Sequence, residues 1–289
     1  MDLKAYLAGQ AQRCDAALER WVPSENTPPH TIHRAMRYSL FAGGKRVRPV
    51  LCMAAFEAIG SDREGIEDAA CTLEMIHTYS LIHDDLPALD NDDLRRGRPT
   101  NHKVFGEAMA ILAGDSLLTL AFEVLGRLPH GGVLVAELAS ASGTVGGMIG
   151  GQVHDIEGER QTPTAELLEQ IHRAKTGALL RCSLRMGAIY AGANAEQLDA
   201  LSRYGEHTGL AFQIVDDILD VEESAETLGK TPGKDQVQQK ITFPAVYGLE
   251  KSKQMAEAER LAAHEALKPF GAAAEPLAEL ADFIVKRKA

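Results

Sequence analysis

Several features that mark common protein classes are missing from this sequence. The four cysteines, Cys14, Cys52, Cys71 and Cys182, form no CxxC pair and lie far apart, which disfavours a disulfide framework and a zinc site. The first residues include acids and no apolar core, so they predict no secretory signal. The formal net charge is −11, so a nucleic-acid partner is not expected. Together these absences favour a cytoplasmic location with reduced thiols.

Strand patterns and long linkers are missing as well. Apolar residues do not alternate with polar ones over any length, and helical spacing recurs instead, as at Ile66, Ala70, Leu73 and His77. Prolines and glycines separate roughly ten helices. The sequence therefore predicts an all-α fold, with one domain covering residues 1–289 and no appended module.

One apolar run, residues 108–126, is nearly long enough to span a bilayer. Asp115 and Glu123 interrupt this run. We therefore expect a helix that is buried on most sides of a core, and no membrane span.

A glycine-rich segment follows at residues 143–151, GTVGGMIGG, inside a helical pattern. Glycine weakens an isolated helix by close to 1 kcal/mol relative to alanine. The segment is therefore either a loop or a helix packed very close to a neighbour, and we favour close packing.

A dense group of charges occupies residues 81–102, LIHDDLPALDNDDLRRGRPTNH. Five carboxylates precede three guanidiniums, in the order Asp84, Asp85, Asp90, Asp92, Asp93, Arg95, Arg96 and Arg98. The spacing places His77, Asp84 and Asp85 near one helix face. Pro87 then breaks the helix, and the chain returns Asp90 to the same neighbourhood. On spacing alone, His77 is as often a core residue as a ligand.

A second acidic group lies in FQIVDDILD, residues 212–220. Asp216, Asp217 and Asp220 are close enough in sequence to share one helix face, with Gln213 on the same side. Carboxylates that repel one another need a positive partner, and oxygen ligands without histidine or thiolate suit Mg²⁺. Either group alone is typical of surface charge, whereas both together in a helical chain favour a metal site in a bundle core.

Three short loops supply the cations that a diphosphate would need. Their basic residues are Lys45, Arg46 and Arg48 in GGKRVRP, Arg95 and Arg96 in LRRGRP, and Lys230 and Lys234 in LGKTPGKD. Any one loop alone is typical of a solvated surface. Two of the three flank an acidic group, which favours a combined site for phosphate and metal.

These motifs, with EMIHTYS, GGQVHD and HRAKTGAL between them, follow one another in the order and at the spacing of a known family. The chain resembles the short-chain trans-prenyltransferases of the polyprenyl synthase family, specifically the bacterial farnesyl diphosphate synthases (geranyltranstransferases), over nearly its whole length. The resemblance implies the isoprenoid synthase fold, a single bundle of helices around a deep central cavity. It also implies an enzyme that joins isopentenyl diphosphate head to tail to geranyl diphosphate, and to dimethylallyl diphosphate, giving farnesyl diphosphate.

The same resemblance assigns roles to individual residues. The carboxylates would hold Mg²⁺, about three ions with substrate bound, with Mn²⁺ as a substitute. Direct ligands would be Asp84, Asp90 and Asp216, supported by Asp85, Asp217 and Asp220. The allylic diphosphate would be held by Arg95, Lys175 and Lys230, and isopentenyl diphosphate by Gly44, Lys45, Arg48, His77 and Arg96. Thr176 and Gln213 would direct oxygen dipoles at the allylic cation, and the released diphosphate would take the proton.

Product length in this family depends on bulky residues about one turn before the first aspartate, here Tyr79 and Ser80. Five residues along a helix span about 7.5 Å, a suitable depth for a cavity floor. On an ideal helix Ser80 lies closer than Tyr79 to the direction of Asp84, so geometry alone does not select Tyr79. The resemblance selects it, and implies a C15 product.

Other functions stay open on the residues alone. A geranylgeranyl diphosphate synthase shares the chemistry with a deeper tunnel, and Tyr79 argues against it. A class I terpene cyclase needs a different second motif from the one at residues 216–220. The pair His83 and Asp84 occurs in metal phosphohydrolases, but the other histidines form no matching pattern. A scaffold subunit of a heteromeric enzyme would be expected to lack one aspartate motif. A homodimer is implied by the resemblance alone.

Overall fold

The computed structural model describes residues 1–158, 164–226 and 241–286. The all-α prediction is confirmed, because nearly all regular structure in these residues is helical. The α-helices are α1 (Leu3–Trp21), α2 (His30–Leu40), α3 (Val47–Ile59), α4 (Ile66–Asp84), α5 (Asn101–Phe105), α6 (Glu107–Arg127), α7 (Gly131–Ser142), α8 (Met148–Gly158), α9 (Ala165–His172), α10 (Ala178–Ala191), α11 (Ala195–Glu226), α12 (Phe243–Tyr247), α13 (Leu249–Ala266) and α14 (Glu275–Lys286). A π-helical turn (Arg173–Gly177) precedes α10, and a 3₁₀-helix (Lys268–Ala274) precedes α14. Strand β1 (Leu94–Arg95) pairs antiparallel with β2 (Arg98–Pro99).

Two compact units divide the chain. The amino-terminal unit contains Asp2–Met53 and Arg63–Val135. The carboxy-terminal unit contains Met1, Ala54–Asp62 and the described residues of Ala136–Ala289. The assignment of residues 1–289 to one domain around a deep cavity stays a prediction.

Helix α4 is buried along most of its length, and it packs against α1, α2 and α6. Gly65 precedes it with a φ of 86°, and Glu67 and Asp68 lie in its first turn, where negative charge stabilises a helix N-terminus. The helix ends at Asp84, close to the break predicted at Pro87. Since α4 carries the first acidic group at its end, this packing fixes where that group begins.

Helix α6 is less buried than the sequence predicted. Its buried residues form one stripe, namely Ala110, Ala113, Gly114, Leu117, Ala121, Val124 and Leu125. Among the described residues, α6 alone has the length and composition to cross a bilayer, and 39% of its most apolar window is buried. It packs against α2 and α4, and a Cβ on Gly114 would overlap the imidazole of His83. The expectation of burial on most sides was therefore wrong, because one side of α6 stays exposed.

In the carboxy-terminal unit, α11 packs against α10, α13 and α14. A buried apolar cluster joins α9, α11, α12 and α13, and consists of Leu168, Ile214, Val215, Ile218, Ile241, Phe243 and Ala256. On α11, the fully buried hydroxyl of Tyr204 donates to the carbonyl oxygen of Leu277 at 2.7 Å. These contacts fix the helix that carries the second acidic group.

The glycine-rich segment contains both of the structures considered for it. Residues 143–147 bend outside any helix, whereas Gly150 and Gly151 lie in α8. A Cβ on Gly151 would lie 2.6 Å from the Cα of Lys175, so only glycine fits there without a shift of the neighbouring backbone. The favoured close packing is therefore correct for Gly151 and wrong for residues 143–147.

Candidate active site

The first acidic group folds into a turn at the end of α4. Asp84 is the last residue of the helix, and the backbone N–H of Asp90 donates to its carbonyl oxygen at 2.8 Å. Both side chains are half-buried. The chain thus turns back past Pro87 as the sequence suggested, and Asp84 and Asp90 become neighbours.

Asp85 has a more enclosed environment than these two residues. It is buried, and its Oδ1 accepts a hydrogen bond from Nε of Arg95 at 2.7 Å. Burial raises the pKa of Asp85, and the hydrogen bond from Arg95 opposes that rise. The pair ties β1 to the end of α4, so Asp85 and Arg95 position each other.

The carboxylate oxygens of this turn have the chemistry that Mg²⁺ prefers in its ligands. Within residues 1–158, 164–226 and 241–286, no three histidine, cysteine or acidic side chains converge into a metal site. Mg²⁺ does not need such a cage, because it keeps several waters and commonly takes one or two carboxylates plus phosphate oxygens. Asp84 and Asp90, half-buried and joined by a backbone hydrogen bond, are the residues of this turn that would hold such an ion.

The arginines that follow lie on a short β-hairpin. Arg96 and Gly97 form its turn with φ values of 53° and 73°, the left-handed pair typical of a type I′ turn. Nη1 of Arg96 donates to the carbonyl oxygen of Gly43. A Cβ on Gly44 would lie 2.7 Å from Nη1 of Arg96, so glycine leaves the space for the guanidinium. The hairpin thus places Arg96 against Gly43 and Gly44 of the GGKRVRP loop, and the exposed Lys45 is the next residue of that loop.

His77 lies on α4 and is half-buried. Burial lowers its pKa well below the ordinary value, and the guanidiniums of Arg48, Arg96, Arg95 and Arg46 lower it further. The imidazole is therefore neutral and surrounded by positive charge. Three residues predicted to bind isopentenyl diphosphate, Arg48, His77 and Arg96, are thereby brought together in a region that attracts anions.

In the carboxy-terminal unit, Lys175 and Thr176 lie in the π-helical turn, a feature often found at functional sites. Nζ of Lys175 donates to Oδ2 of Asp155 at 2.6 Å. Asp155 lies in the GGQVHD motif, but nothing in the sequence signals its pairing with Lys175. The predicted diphosphate ligand Lys230, and Lys234 with it, lie outside the described residues.

The three aspartates of α11 differ in environment. Asp217 is buried, its Oδ2 accepts the backbone N–H of Phe243 at 2.8 Å, and the same oxygen lies 3.6 Å from Nε2 of His172. Asp216 is half-buried and Asp220 is exposed. Asp217 thus joins α11 to the start of α12, and the assignment of all three carboxylates to Mg²⁺ stays a prediction.

His172 is a residue that the sequence reasoning missed, although it opens the quoted motif HRAKTGAL. Its Nδ1 lies 3.1 Å from Nε2 of Gln213, and its ring stacks on Phe243 with centroids 5.3 Å apart. It therefore contacts Gln213 and Asp217, two predicted site residues on successive turns of α11. When Nδ1 accepts a hydrogen bond from Nε2 of Gln213, the side-chain oxygen of Gln213 remains available to accept from, or contact, another group.

Tyr79, the predicted floor of the cavity, is buried, and its hydroxyl has no hydrogen-bond partner among the described residues. Its ring meets the ring of His83 edge-on, with centroids 5.8 Å apart. Burial and the charge of Asp84 raise the pKa of Tyr79 to about 12. Ser80 instead donates its hydroxyl to the carbonyl oxygen of His77 at 2.9 Å. Of the two candidates, Tyr79 is thus the bulky and confined side chain.

Known proteins resemble this chain along almost its whole length. The family profile described as polyprenyl synthetase matches residues 29–272. Geranylgeranyl pyrophosphate synthase 3, chloroplastic, of Arabidopsis thaliana is 50% identical over 297 residues, covering 99% of this chain and 82% of the relative. The dimethylallyltranstransferase of Fischerella ambigua is 48% identical over 293 residues, covering 99% of this chain and 84% of the relative. The crystal structure of an FPP/GFPP synthase from Zymomonas mobilis is 39% identical, with a TM-score of 0.87 over 98% of this chain and 99% of that one.

Proposed function

This chain belongs to the polyprenyl synthetase family of trans-prenyltransferases, and on that premise we propose that it makes farnesyl diphosphate. Isopentenyl diphosphate would be joined head to tail to geranyl diphosphate, and dimethylallyl diphosphate would serve as the first acceptor. The observation that carries the proposal is that Arg48 and Arg96 place positive charge around the neutral imidazole of His77. This positive region belongs to the same unit as the carboxylates of Asp84 and Asp90. Cations and oxygen ligands for Mg²⁺ together suit a diphosphate.

The first step is departure of the allylic diphosphate, in which the bond between C1 and oxygen breaks. Mg²⁺, when bound, supplies charge neutralisation that makes diphosphate a better leaving group. In the amino-terminal unit its ligands would be Asp84 and Asp90, with Asp85 in support. In the carboxy-terminal unit, Asp216 would be a direct ligand, with Asp217 and Asp220 in support. Asp217 would act through its contacts to α12, because its carboxylate already accepts the N–H of Phe243.

Lys175 would stabilise the negative charge of the same diphosphate. Its ammonium is held by Asp155 at 2.6 Å, and it carries two further N–H donors that this contact leaves available. Arg95 would contribute from its pair with Asp85, since Arg95 offers more donors than that carboxylate uses. Thr176 and Gln213 would place oxygen atoms beside the allylic cation.

The second substrate would bind in the amino-terminal unit. Gly44, Lys45, Arg48 and Arg96 would hold the diphosphate of isopentenyl diphosphate, and neutral His77 would donate one hydrogen bond. C4 of this substrate then forms a bond to C1 of the allylic cation, and C2 loses a proton. The diphosphate that left in the first step accepts the proton, so the atoms and charges balance without a side-chain base.

Product length is the finer part of the proposal. The confined ring of Tyr79 supports a short cavity and a C15 product. A second candidate is geranylgeranyl diphosphate, and it is favoured by relatives that are named geranylgeranyl pyrophosphate synthases and are 50% identical to this chain. Both products arise by the same chemistry and differ in the number of condensations.

A product assay tests both levels of the proposal. The purified chain would be incubated with Mg²⁺, isopentenyl diphosphate and either dimethylallyl or geranyl diphosphate, and the dephosphorylated alcohols would be separated. A C15 alcohol that disappears with chelator supports the proposal, and a C20 alcohol supports the second candidate. Tyr79→Ala should lengthen the product, with Ser80→Ala as the matched control. Absence of any condensation would reject the prenyltransferase activity of this chain.

We also propose that the chain is a cytoplasmic homodimer. Helix α6 leaves Ile111 and Leu112 46% and 51% exposed, and a second copy could cover this face. The four cysteines, all within the described residues, form no disulfide with one another, which suits a reducing compartment. Sedimentation of the wild type and of Leu112→Glu tests the dimer, and a monomeric wild type would reject it.

A further inference from the structure

Arg46 sits between two proposed diphosphate ligands but has a different environment from either. In the sequence GGKRVRP it follows Lys45 and precedes Arg48 by two positions. Lys45 is exposed and Arg48 is half-buried, whereas the side chain of Arg46 is 3% exposed. Its backbone adopts a φ of 49°, which is unusual for a residue other than glycine. The loop therefore turns one of its three cations inward.

The buried guanidinium donates to three separate elements. Nε donates to Oδ1 of Asp15 on α1 at 2.9 Å, and Nη1 donates to Oε1 of Glu74 on α4 at 2.8 Å. Nη2 donates to the carbonyl oxygen of Leu40, the last residue of α2, at 2.8 Å. Glu74 is itself 2% exposed. Every nitrogen of Arg46 is thus engaged inside the amino-terminal unit, and the side chain has no surface left for substrate.

The net contribution of such a pair to stability is expected to be small. Removing two charges from water costs several kcal/mol, and their attraction in the interior offsets roughly that amount. Apolar replacement of both partners is often neutral or stabilising. What the contacts of Arg46 do provide is geometry, because a planar guanidinium with three acceptors fixes its own backbone relative to α1, α2 and α4.

That fixed backbone continues directly into the proposed binding groups. Gly43 accepts a hydrogen bond from Arg96, and Gly44 leaves room for the same guanidinium. On α4, Glu74 lies one turn before His77. A displacement of Arg46 would therefore move the loop, and with the loop the partner of Arg96.

We propose that Arg46 is a positioning residue that holds the loop from Gly43 to Arg48 in the conformation that binds isopentenyl diphosphate. The proposal rests on the proposed function, since it concerns the second substrate of that reaction. Preorganisation of a loop raises affinity by removing the cost of ordering it on binding. Loss of Arg46 should thus weaken binding of isopentenyl diphosphate and leave the allylic substrate unaffected.

The test compares two variants with the wild type in steady-state kinetics. Arg46→Lys keeps the charge but has a single ammonium in place of three aligned donors. The double variant Arg46→Met with Glu74→Leu removes both buried charges, so it is expected to fold even if Arg46→Lys does not. Urea unfolding establishes that each variant is folded. In each folded variant, the KM for isopentenyl diphosphate should rise about tenfold, and the KM for geranyl diphosphate should stay within about twofold.

A matched control is Arg185→Lys in the carboxy-terminal unit. Arg185 likewise donates from all three guanidinium nitrogens, Nε and Nη2 to Glu137 and Nη1 to the hydroxyl of Ser202, and it is half-buried. This variant should leave both KM values unchanged.

Three results would overturn the inference. An unchanged KM for isopentenyl diphosphate in the folded double variant would show that the buried contacts do not position the loop. An equal rise in both KM values, or a fall in kcat alone, would indicate a general structural role. If the wild type catalyses no condensation, the proposed function fails, and calorimetric binding of isopentenyl diphosphate alone to the wild type and the double variant decides the inference. Equal affinity would then reject it.

Discussion

The environment of His77 makes the stability of this chain depend on pH in a calculable way. Burial and the nearby guanidiniums hold the pKa of His77 well below its ordinary value. In the unfolded chain the same imidazole titrates with a pKa of about 6.5. Below that pH the unfolded state binds a proton that the folded state does not accept, so the free energy of unfolding falls as the pH falls.

The magnitude follows from one proton. The contribution of one proton to the free energy of unfolding changes by at most about 1.4 kcal/mol per pH unit. Between pH 7.5 and pH 5.5 the unfolded histidine goes from one-eleventh to ten-elevenths protonated, while the folded imidazole, with its pKa held well below the ordinary value, takes up little proton. The loss of unfolding free energy from His77 is then about 1.4 kcal/mol over that interval.

The assay is urea unfolding of the wild type and of His77→Gln at both pH values, at one protein concentration. The other histidines are shared, so the difference between the two pH dependences isolates His77. The variant should lose about 1.4 kcal/mol less than the wild type when the pH is lowered. His154→Gln, at an exposed position on α8, is the matched control and should follow the wild type. Equal losses for wild type and His77→Gln would refute the assigned environment of His77.

Three further substitutions test other contacts. Gly151→Ala places a Cβ against the backbone of Lys175, so it should lower the free energy of unfolding in urea by about 1–3 kcal/mol and should also lower kcat. Gly126→Ala is the control, because its Cβ meets open space and should not destabilise the protein. Tyr204→Phe leaves the carbonyl oxygen of Leu277 without its buried donor, so it should cost about 1–2 kcal/mol in thermal unfolding and leave both KM values unchanged. His172→Phe keeps the stacking on Phe243 but removes the contact with Gln213, so kcat should fall while the unfolding midpoint stays near that of the wild type, and an unchanged kcat would contradict a role for that contact.

Local signals in the sequence were sufficient to predict the path of the chain around the first acidic group. A proline ends a helix through its own geometry, so the position of Pro87 was enough to predict that α4 stops near Asp84 and that Asp90 returns beside it. The helical class follows from spacing in the same way.

The sequence could not show which basic residue of GGKRVRP is buried. Lys45, Arg46 and Arg48 are alike in charge and lie within four positions, and the choice depends on acceptors far away in the chain. For the same reason the contacts of His172 with Gln213 and of Asp155 with Lys175 were missed. Both join residues at least 20 positions apart, and periodicity carries no information at that range.

At position 96, stability and activity favour different residues. A left-handed backbone conformation costs a side-chain-bearing residue about 1–2 kcal/mol, and glycine avoids that cost. Yet the guanidinium at this position is what reaches the carbonyl oxygen of Gly43 and the proposed diphosphate. A library randomised at position 96 should therefore enrich glycine when it is sorted for heat resistance and arginine when it is sorted for turnover.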